Sequence, residues 1–188
     1  MAKPPMPLTI VIVEDGDLNI ELHEYAKKVT CENAQENDQE RDVSKITRYQ
    51  VKREVLIESS NYFKVLCSSF QKVIKTEEDR AESLKIWFPV LRDVETKETL
   101  DIPLETMWHL VATREKYDLD IARLNTWFSD WYFNQDPQKL DNHRELLYQC
   151  PTLDHAIGIA KAIKALAYES LGHITESNPT EYANLHLF

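Results

Sequence analysis

Glycine is the residue that most constrains this chain, because only three occur in 188 residues and they lie far apart, at Gly16, Gly158 and Gly172. Folds that bind dinucleotides, or that hold phosphates in a backbone loop, need clustered glycines whose missing side chains let the backbone approach the phosphate. The sequence therefore excludes both of these nucleotide-binding classes.

The composition is that of one folded, acidic domain with room for a small helical appendage. Hydrophobic residues make up 43% and charged residues 29%, which is enough apolar material to fill a core. The formal net charge is −10, from 22 Lys+Arg against 32 Asp+Glu. A chain this acidic should repel phosphate backbones and anionic lipid, so we expect neither nucleic acid nor a membrane as its partner.

The cysteines indicate a reducing, intracellular setting. Cys31, Cys67 and Cys150 are odd in number and far apart, unlike a secreted disulfide framework, and there is no CxxC pair of the kind that binds structural zinc. The apolar run at 8–13 is too short for the core of a signal peptide, and no later run approaches a membrane-spanning length. We therefore expect a soluble protein of the cytoplasm, the nucleus or both.

Strand patterns occupy the beginning of the chain. The β-branched run at 8–13 is followed by a turn signal at Gly16 and by alternating apolar and polar residues over 18–22, which predicts a strand, a tight turn or bend, and a half-buried strand. Residues 26–45 are polar, acidic and aperiodic, which predicts a long inserted loop. A further strand is expected at 46–51.

Helical patterns follow, interrupted by one brief strand at 73–74. Two short helices should meet near 59–60, where two serines separate two apolar clusters. Apolar stripes at helical spacing predict three longer helices. These stripes are Leu84, Trp87, Phe88 and Leu91, with Pro89 expected to kink the helix; Leu104, Met107, Trp108 and Val111, behind Pro103; and Ile121, Leu124, Phe128 and Trp131.

The last third of the chain predicts a two-helix extension. The first of its helices should begin at the Asp-Pro pair at 136–137, an N-cap followed by a first-turn proline. The second is expected over 152–171, with Gly172 as its stop. Residues 175–188 have no capped periodic pattern, and we interpret them as a tail.

No constellation of reactive residues stands out in the sequence. The acidic string at 15–21 lacks the glycine and the final glutamate of a calcium loop, and the histidines include no HExxH motif and no i, i+4 pair. Cys67 falls on an apolar helical face, which indicates a buried thiol rather than a nucleophile. We therefore name no catalytic, cofactor-binding or metal-binding residue.

Aromatic residues are concentrated in one part of the chain. They could line a ligand pocket or an interface, but the periodic placement of Phe128 and Trp131 favours packing between two layers. Trp127 and Tyr132 point away from that periodic face, where they could bury the helical extension or a partner. The set comprises Trp108, Tyr117, Trp127, Phe128, Trp131, Tyr132 and Phe133.

Three segments resemble the BTB/POZ domain. Residues 51–63, VKREVLIESSNYF, are similar to its signature of a strand ending in an apolar residue, two polar residues, a Val-Leu pair and Ser-x-Tyr-Phe. EDGDLNIEL at 14–22 resembles the strand opening of fungal members. The helix at 80–92 and LETMWHLVATREKYDLDIARLNTWFSDWY at 104–132 are similar to the helical part that closes the fungal domain, with KYDL at 116–119 as its most characteristic piece.

The resemblance covers roughly residues 8–133 and implies an α+β fold. On this basis residues 1–134 form a BTB/POZ-like domain, a small β-sheet capped by a helical cluster with the acidic loop at 26–45 inserted. A two-helix extension at 135–174 and a tail at 175–188 follow. Leu56, Tyr62 and Phe63 are expected in the core.

The resemblance also suggests residues for partner binding. Asp17 and Arg53 stand where many family members place a charged pair near the dimer pocket, which implies an ion pair between them. Members that recruit cullin-type ubiquitin ligases often carry an apolar-x-Glu element, where this chain has Phe70-Gln71-Lys72. The base at Lys72 weighs against an adaptor role.

We therefore expect a non-enzymatic protein-protein interaction module that self-associates, for example as a homodimer, or recruits a protein partner, without a cofactor. One alternative is a substrate adaptor for a cullin-type ubiquitin ligase, and another is a small-molecule-binding protein or enzyme that uses the Trp-rich helices. The candidate interaction residues are Asp17, Arg53, Phe70, Lys72, Trp127 and Tyr132.

Overall fold

The computed structural model describes residues 6–25, 43–69, 71–77, 80–94, 97–135, 140–169, 173, 177–182 and 184–185. Within these ranges the chain has the mixed α+β architecture that the sequence predicts, with four strands and eight helices. The strands are β1 (Leu8–Val11), β2 (Leu18–Tyr25), β3 (Val43–Val51) and β4 (Val73–Glu77). The helices are α1 (Arg53–Ser59), α2 (Asn61–Leu66), α3 (Ala81–Val90), α4 (Lys97–Leu100), α5 (Leu104–Tyr117), α6 (Ala122–Gln135), α7 (Leu140–Thr152) and α8 (Ala156–Glu169).

The four strands form one sheet in the order β1-β3-β2-β4. β2 and β3 are antiparallel, with Leu18 opposite Val51 and Ile20 opposite Tyr49, and these four side chains face the core. β1 runs parallel to β3, and β4 runs parallel to β2. Among the described strands, β1 and β4 are therefore the edges of the sheet.

Gly16 lies in the turn between β1 and β2, as its sequence context predicts, but the turn does not bring those two strands together. β3 lies between them, and the amides of Ile12 and Val13 donate to the Gln50 carbonyl at 3.1 and 3.3 Å. A Cβ at Gly16 would lie 2.8 Å from Cγ of Gln50 and 2.9 Å from the Val51 carbonyl oxygen. The glycine is needed here for close approach to β3.

The inserted loop is shorter than expected at its C-terminal end. Residues 43–45, for which the polar pattern predicts a loop, belong to β3 and pair with the end of β2. The pairing of Glu24 with Lys45 supplies backbone hydrogen bonds and a 3.1 Å ion pair that the polar composition did not reveal. Residues 26–42 lie outside the described residues.

The two short helices α1 and α2 meet at Ser59-Ser60, as predicted. Ser60 is the N-cap of α2, where its hydroxyl accepts a hydrogen bond from the Phe63 amide at 3.0 Å. Leu56 and Phe63 are buried, as expected, whereas Tyr62 is 43% exposed. The expectation of Tyr62 in the core was wrong because its ring packs edge-to-face on Phe63 and Tyr117 from the outside.

Helix α3 crosses the core face of the sheet and is tied to its neighbours by aromatic side chains. The Tyr49 hydroxyl donates to the Ala81 carbonyl at 2.7 Å, and the Trp87 indole donates to the Leu110 carbonyl in α5 at 3.0 Å. Pro89 lies in the last turn of α3, one residue before its end, rather than in the middle of a longer helix. The chain leaves the helix through Asp93, which has a left-handed φ of 55°.

The helical extension is a hairpin of α7 and α8. Thr152, predicted to begin the second helix, instead ends α7, and residues 153–155 form the turn, in which Asp154 has a φ of 50°. α8 therefore begins at Ala156. The predicted cap at 136–137 and the predicted stop at Gly172 lie outside the described residues.

The C-terminal segment, interpreted as a tail, is irregular where the structure describes it, but part of it is packed. Leu185 is fully buried in a cluster with Trp108, Val111 and Tyr148. Asn178 donates to the Leu185 carbonyl at 3.1 Å and holds the segment in a compact turn. This segment contributes to the folded body beside α5 and α7.

Candidate interaction surfaces

Asp17 and Arg53 meet, although not through the ion pair that the resemblance implied. An Asp17 carboxylate oxygen accepts a hydrogen bond from the backbone amide of Arg53 at 2.9 Å. This amide belongs to the first residue of α1, so the carboxylate satisfies an otherwise unpaired donor at a helix start. Asp17 thus joins the start of β2 to the start of α1.

The Arg53 guanidinium points instead to the chain that leaves α2. It donates to the carbonyls of Cys67 at 2.9 Å and Ser69 at 3.0 Å, and it also contacts the Gln71 carbonyl. Three carbonyls on one guanidinium hold residues 67, 69 and 71 of the connection to β4. The prediction of an ion pair was wrong because the guanidinium donates to these carbonyls instead, which no sequence pattern reveals.

Lys72 follows that connection and remains at the surface. Its side chain is exposed, while its carbonyl accepts a hydrogen bond from the Asn19 amide at 2.9 Å, where β2 and β4 begin to pair. Asp17, Arg53 and Lys72 therefore lie at one corner of the molecule, which we call the Arg53 corner. Phe70 lies outside the described residues.

Trp127 and Tyr132 do not form an interaction surface. Trp127 is 1% exposed and Tyr132 is 1% exposed, and both belong to the main hydrophobic core. The Tyr132 ring lies 4.6 Å from the His155 ring at the turn between α7 and α8, so it buries the helical extension against α6. Of the two expected roles, burial of the helical extension or of a partner, Tyr132 therefore has the first, and α6 is covered on more than its periodic face.

The two most specific parts of the family resemblance meet in the structure. Ser60 forms an isolated antiparallel bridge with Leu119, and its hydroxyl donates to the Tyr117 carbonyl. The Asn61 amide donates to the Asp118 carboxylate at 2.9 Å, and the Phe63 and Tyr117 rings stack at 5.1 Å. The segments 51–63 and 116–119 thus form one hydrogen-bonded junction, which we call the Ser60–Leu119 junction.

An open cleft of about 470 Å³ lies beside this junction. Its lining carries charges of both signs, from Lys64 and Arg114 and from Glu58, Asp118 and Asp120. Such a mixture suits polar contacts with a protein surface better than an anionic or apolar small molecule.

The exposed face of α2 continues from the junction and is partly apolar. Val65 is 74% exposed and Tyr62 is 43% exposed, and both lie on this short helix. β4, which follows α2 in the chain, exposes Val73 to 39%. α2 and β4 thus each carry exposed apolar residues.

Sequence reasoning missed a charged cluster on the other face of the sheet. Glu21 in β2 is only 9% exposed and accepts a hydrogen bond from Nε of Arg48 at 2.9 Å. Arg48 is the residue of β3 directly opposite Glu21. His23 lies 3.7 Å from the second carboxylate oxygen. Burial alone would raise the pKa of Glu21, but the Arg48 hydrogen bonds and charge, with His23, hold this pKa below its ordinary value.

The cysteine thiols that the structure describes are held in the protonated form. Burial raises the pKa of Cys150 to about 12. Burial also raises the pKa of Cys67, although the nearby Arg53 charge opposes the shift. Neither thiol is activated as a nucleophile, and within the described ranges no three His, Cys, Asp or Glu side chains converge as metal ligands would.

No protein-family model matches the chain, and a search of the curated proteins finds no match either. None of the helices within the described ranges is both long and apolar enough to cross a bilayer.

Proposed function

We propose that the chain is a protein-protein interaction module of BTB/POZ type, of the fungal kind, which self-associates or recruits a protein partner and has no enzymatic activity of its own. In this proposal it acts inside the cell by presenting the surface around α1, α2 and the edge strand β4.

The Ser60–Leu119 junction is the observation that carries the proposal. Segments 51–63 and 116–119 resemble two different parts of the family's domain, and they lie far apart in the chain. Their contact through the bridge from Ser60 to Leu119 and the Phe63–Tyr117 stack gives both segments one structural role. This is the behaviour expected of two parts of one domain signature.

The position of α2 supports the use of this region for binding. Arg53 holds the Cys67 and Ser69 carbonyls just after α2, and Ser60 caps the start of this helix, so the exposed Val65 lies on a preorganised backbone. A rigid surface loses less conformational entropy on association than a mobile one. Exposed apolar side chains on such a surface are typical of protein interfaces.

Light scattering across the micromolar range tests the proposal directly. We expect the average mass to rise with concentration, and we expect Val65→Glu to suppress the rise because a charge replaces an exposed apolar contact. Val94→Glu is the matched control, since Val94 is also exposed, at 40%, but follows α3. The control should associate like the unmodified protein.

Two further measurements address the alternatives. A stable stoichiometric complex with a purified cullin would favour the ligase adaptor, despite the base at Lys72. A protein that stays monomeric at every concentration, binds no cullin and is stabilised saturably by a metabolite in thermal-shift screening would contradict the proposal. The four tryptophans offer little support to that last outcome, because they fill the core: Trp87, Trp108, Trp127 and Trp131 are each at most 2% exposed.

A further inference from the structure

We infer that the outer face of α8, together with Phe133, binds an acidic amphipathic helix of a protein partner. Apart from Phe133, this surface lies beyond the residues of the family resemblance, so the inference does not rest on the proposed function. We call it the α8 face.

The α8 helix is apolar on more than the side that packs on α7. Its inner side packs on α7, where Ala162 and Leu166 form a buried cluster with Leu147. Its outer side leaves Ile157 52% exposed, Ile163 50% exposed and Tyr168 83% exposed. A helix that only had to pack on α7 would carry polar residues at those three positions.

The exposed residues form two adjacent rows along the helix. Residues 156, 160, 163 and 167, three alanines and Ile163, follow i, i+4, i+7, i+11 spacing and are exposed or half-exposed. Residues 157, 161, 164 and 168 follow the same spacing in the next row. This is the periodicity with which one helix packs along another.

Phe133 extends this surface onto α6. Its side chain is 53% exposed, and the Lys161 ammonium lies 5.9 Å from the centre of its ring and 5.7 Å from that of Tyr132. Lys161 therefore spans the boundary between α6 and α8, and the apolar area continues across it.

The charge of this face identifies the class of partner. Lys161 and Lys164 stand in the middle of the second row, and the only acidic residue in α8 is its last, Glu169. Among the residues that the structure describes, neither lysine forms an ion pair with a carboxylate. An apolar face with two lysines that lack a carboxylate partner within the described ranges is complementary to an apolar helix flanked by carboxylates.

The same lysines argue against a second copy of the chain as the occupant. In a symmetric contact between two α8 faces, parallel or antiparallel, the central Lys161 and Lys164 of one copy would lie beside those of the other. The resulting like charges would oppose association. An anionic membrane is disfavoured as well, because two lysines do not offset the repulsion from a net charge of −10.

Fluorescence anisotropy with the full chain and two labelled synthetic peptides tests the inference. Both peptides are helical and share one Leu/Ala apolar face, but one carries Glu at its flanking positions and the other carries Lys. We expect the Glu peptide to bind saturably and at least roughly tenfold more tightly than the Lys peptide. Raising the salt concentration should reduce this preference.

Charge reversal should reverse the preference. The double variant Lys161→Glu, Lys164→Glu should bind the Lys peptide and no longer bind the Glu peptide. The control Lys85→Glu, Lys97→Glu makes the same charge change at exposed lysines in α3 and α4 and should keep the original preference. The double variant Ile157→Ser, Ile163→Ser should bind the Glu peptide more weakly but should still prefer it to the Lys peptide. All these positions are exposed, and circular dichroism verifies that the variants keep their helices.

Three results would overturn the inference. Equal binding of both peptides, or an unchanged preference in the Lys161/Lys164 variant, would show that charge does not select the partner. A dimer that dissociates on Ile163→Asp would assign the face to a second copy. Binding to phosphatidylserine vesicles that the Lys161/Lys164 variant loses would assign it to lipid. Each result leaves the Val65 test of the proposed function unaffected, so the two proposals can fail separately.

Discussion

At the residue scale, several buried side chains meet at the turn between α7 and α8. The backbone amide of Gly158 donates to Nδ1 of His155 at 3.1 Å, so the histidine acts as the N-cap acceptor of α8. The rings of Phe128, Tyr132 and Phe133 surround the imidazole. One side chain therefore caps a helix and joins that helix to α6.

The role of His155 predicts acid-sensitive stability. Burial, with the Lys161 charge, lowers the pKa of His155 below its ordinary value. The unfolded chain therefore takes up a proton as the pH falls through about 6.5, while the folded chain resists it, so this contribution to stability is present above that pH and is lost below it. Chemical denaturation between neutral pH and pH 5 measures this loss.

The variant His155→Asn separates the two roles of this side chain, the capping of α8 and the uptake of a proton. Asparagine also accepts at an N-cap but does not titrate, so the variant should show a weaker fall in stability with acid than the unmodified chain. His109, whose pKa is also lowered mainly by burial, stays in both proteins, and the difference between their pH profiles isolates His155. Identical profiles would show that His155 is not the responsible group.

Gly158 allows a test in which two physical effects have opposite signs. In an exposed helix Gly→Ala stabilises by about 1 kcal/mol, because alanine restricts the unfolded backbone. Here the added Cβ would lie 2.5 Å from Sγ of Cys150 and 2.6 Å from Nδ1 of His155. We expect Gly158→Ala to destabilise by about 1–3 kcal/mol in urea denaturation, because buried groups must move apart.

The matched control for Gly158→Ala is Ala160→Gly, at an exposed position of the same helix. It should cost about 1 kcal/mol through helix propensity alone. A stabilised Gly158→Ala protein would mean that the hairpin relaxes freely around the new methyl group.

At the scale of elements, the sheet is stabilised on both faces, but by different means. The face toward α3 is apolar, whereas the opposite face has the cross-strand pair of Glu21 and Arg48, with His23 nearby. A buried carboxylate whose guanidinium partner is removed keeps its desolvation cost without the attraction that offset it. β2 and β3 therefore depend on each other through this pair as well as through their backbone ladder.

The variant Arg48→Met should therefore destabilise the protein by about 1–3 kcal/mol in urea denaturation. The control Lys45→Met removes the more exposed 3.1 Å pair with Glu24, and it should cost less than about 1 kcal/mol. Since the folded pKa of Glu21 is lowered, the contribution of the pair is complete above the ordinary glutamate pKa and declines as the pH falls below it. Equal losses for the two variants would contradict a special role for the buried pair.

At the scale of the whole molecule, three hydrophobic clusters hold the sheet, the helices and the C-terminal segment together. The smaller cluster around Trp108 and Tyr148, whose rings stack at 5.2 Å, is completed by Leu185. Because Leu185 is fully buried, Leu185→Ala should cost about 2–4 kcal/mol, measured as a lower urea midpoint. Val94→Ala, at an exposed valine, should change the midpoint little.

A near-unchanged midpoint for Leu185→Ala would instead restore the interpretation of residues 175–188 as a tail. The expected loss of stability would show that the C-terminal segment is part of the folded body, although it has no periodic pattern from which this could be predicted.

Much of the secondary structure was predictable from neighbouring residues alone. The alternation of Leu18, Ile20 and Leu22 predicted β2, and the serines at 59–60 predicted the junction of α1 and α2. The candidate site was less predictable: of its six residues, the structure places Asp17, Arg53 and Lys72 at one corner and buries Trp127 and Tyr132. The Arg53 guanidinium donates to backbone carbonyls, and every residue has one, so the sequence could not predict these partners.

The sequence by itself determined the acidic charge, the scarcity of glycine, the type of most elements and the resemblance that motivates the functional proposal. The tertiary structure alone decided the strand order, the burial of Glu21 beside Arg48 and the exposure of the α8 face. The physical reason is how far apart in the sequence the interacting residues lie. Helix and strand periodicity arise among residues a few positions apart, whereas strand pairing and burial depend on contacts between segments that lie distant in the chain and meet only when the core forms.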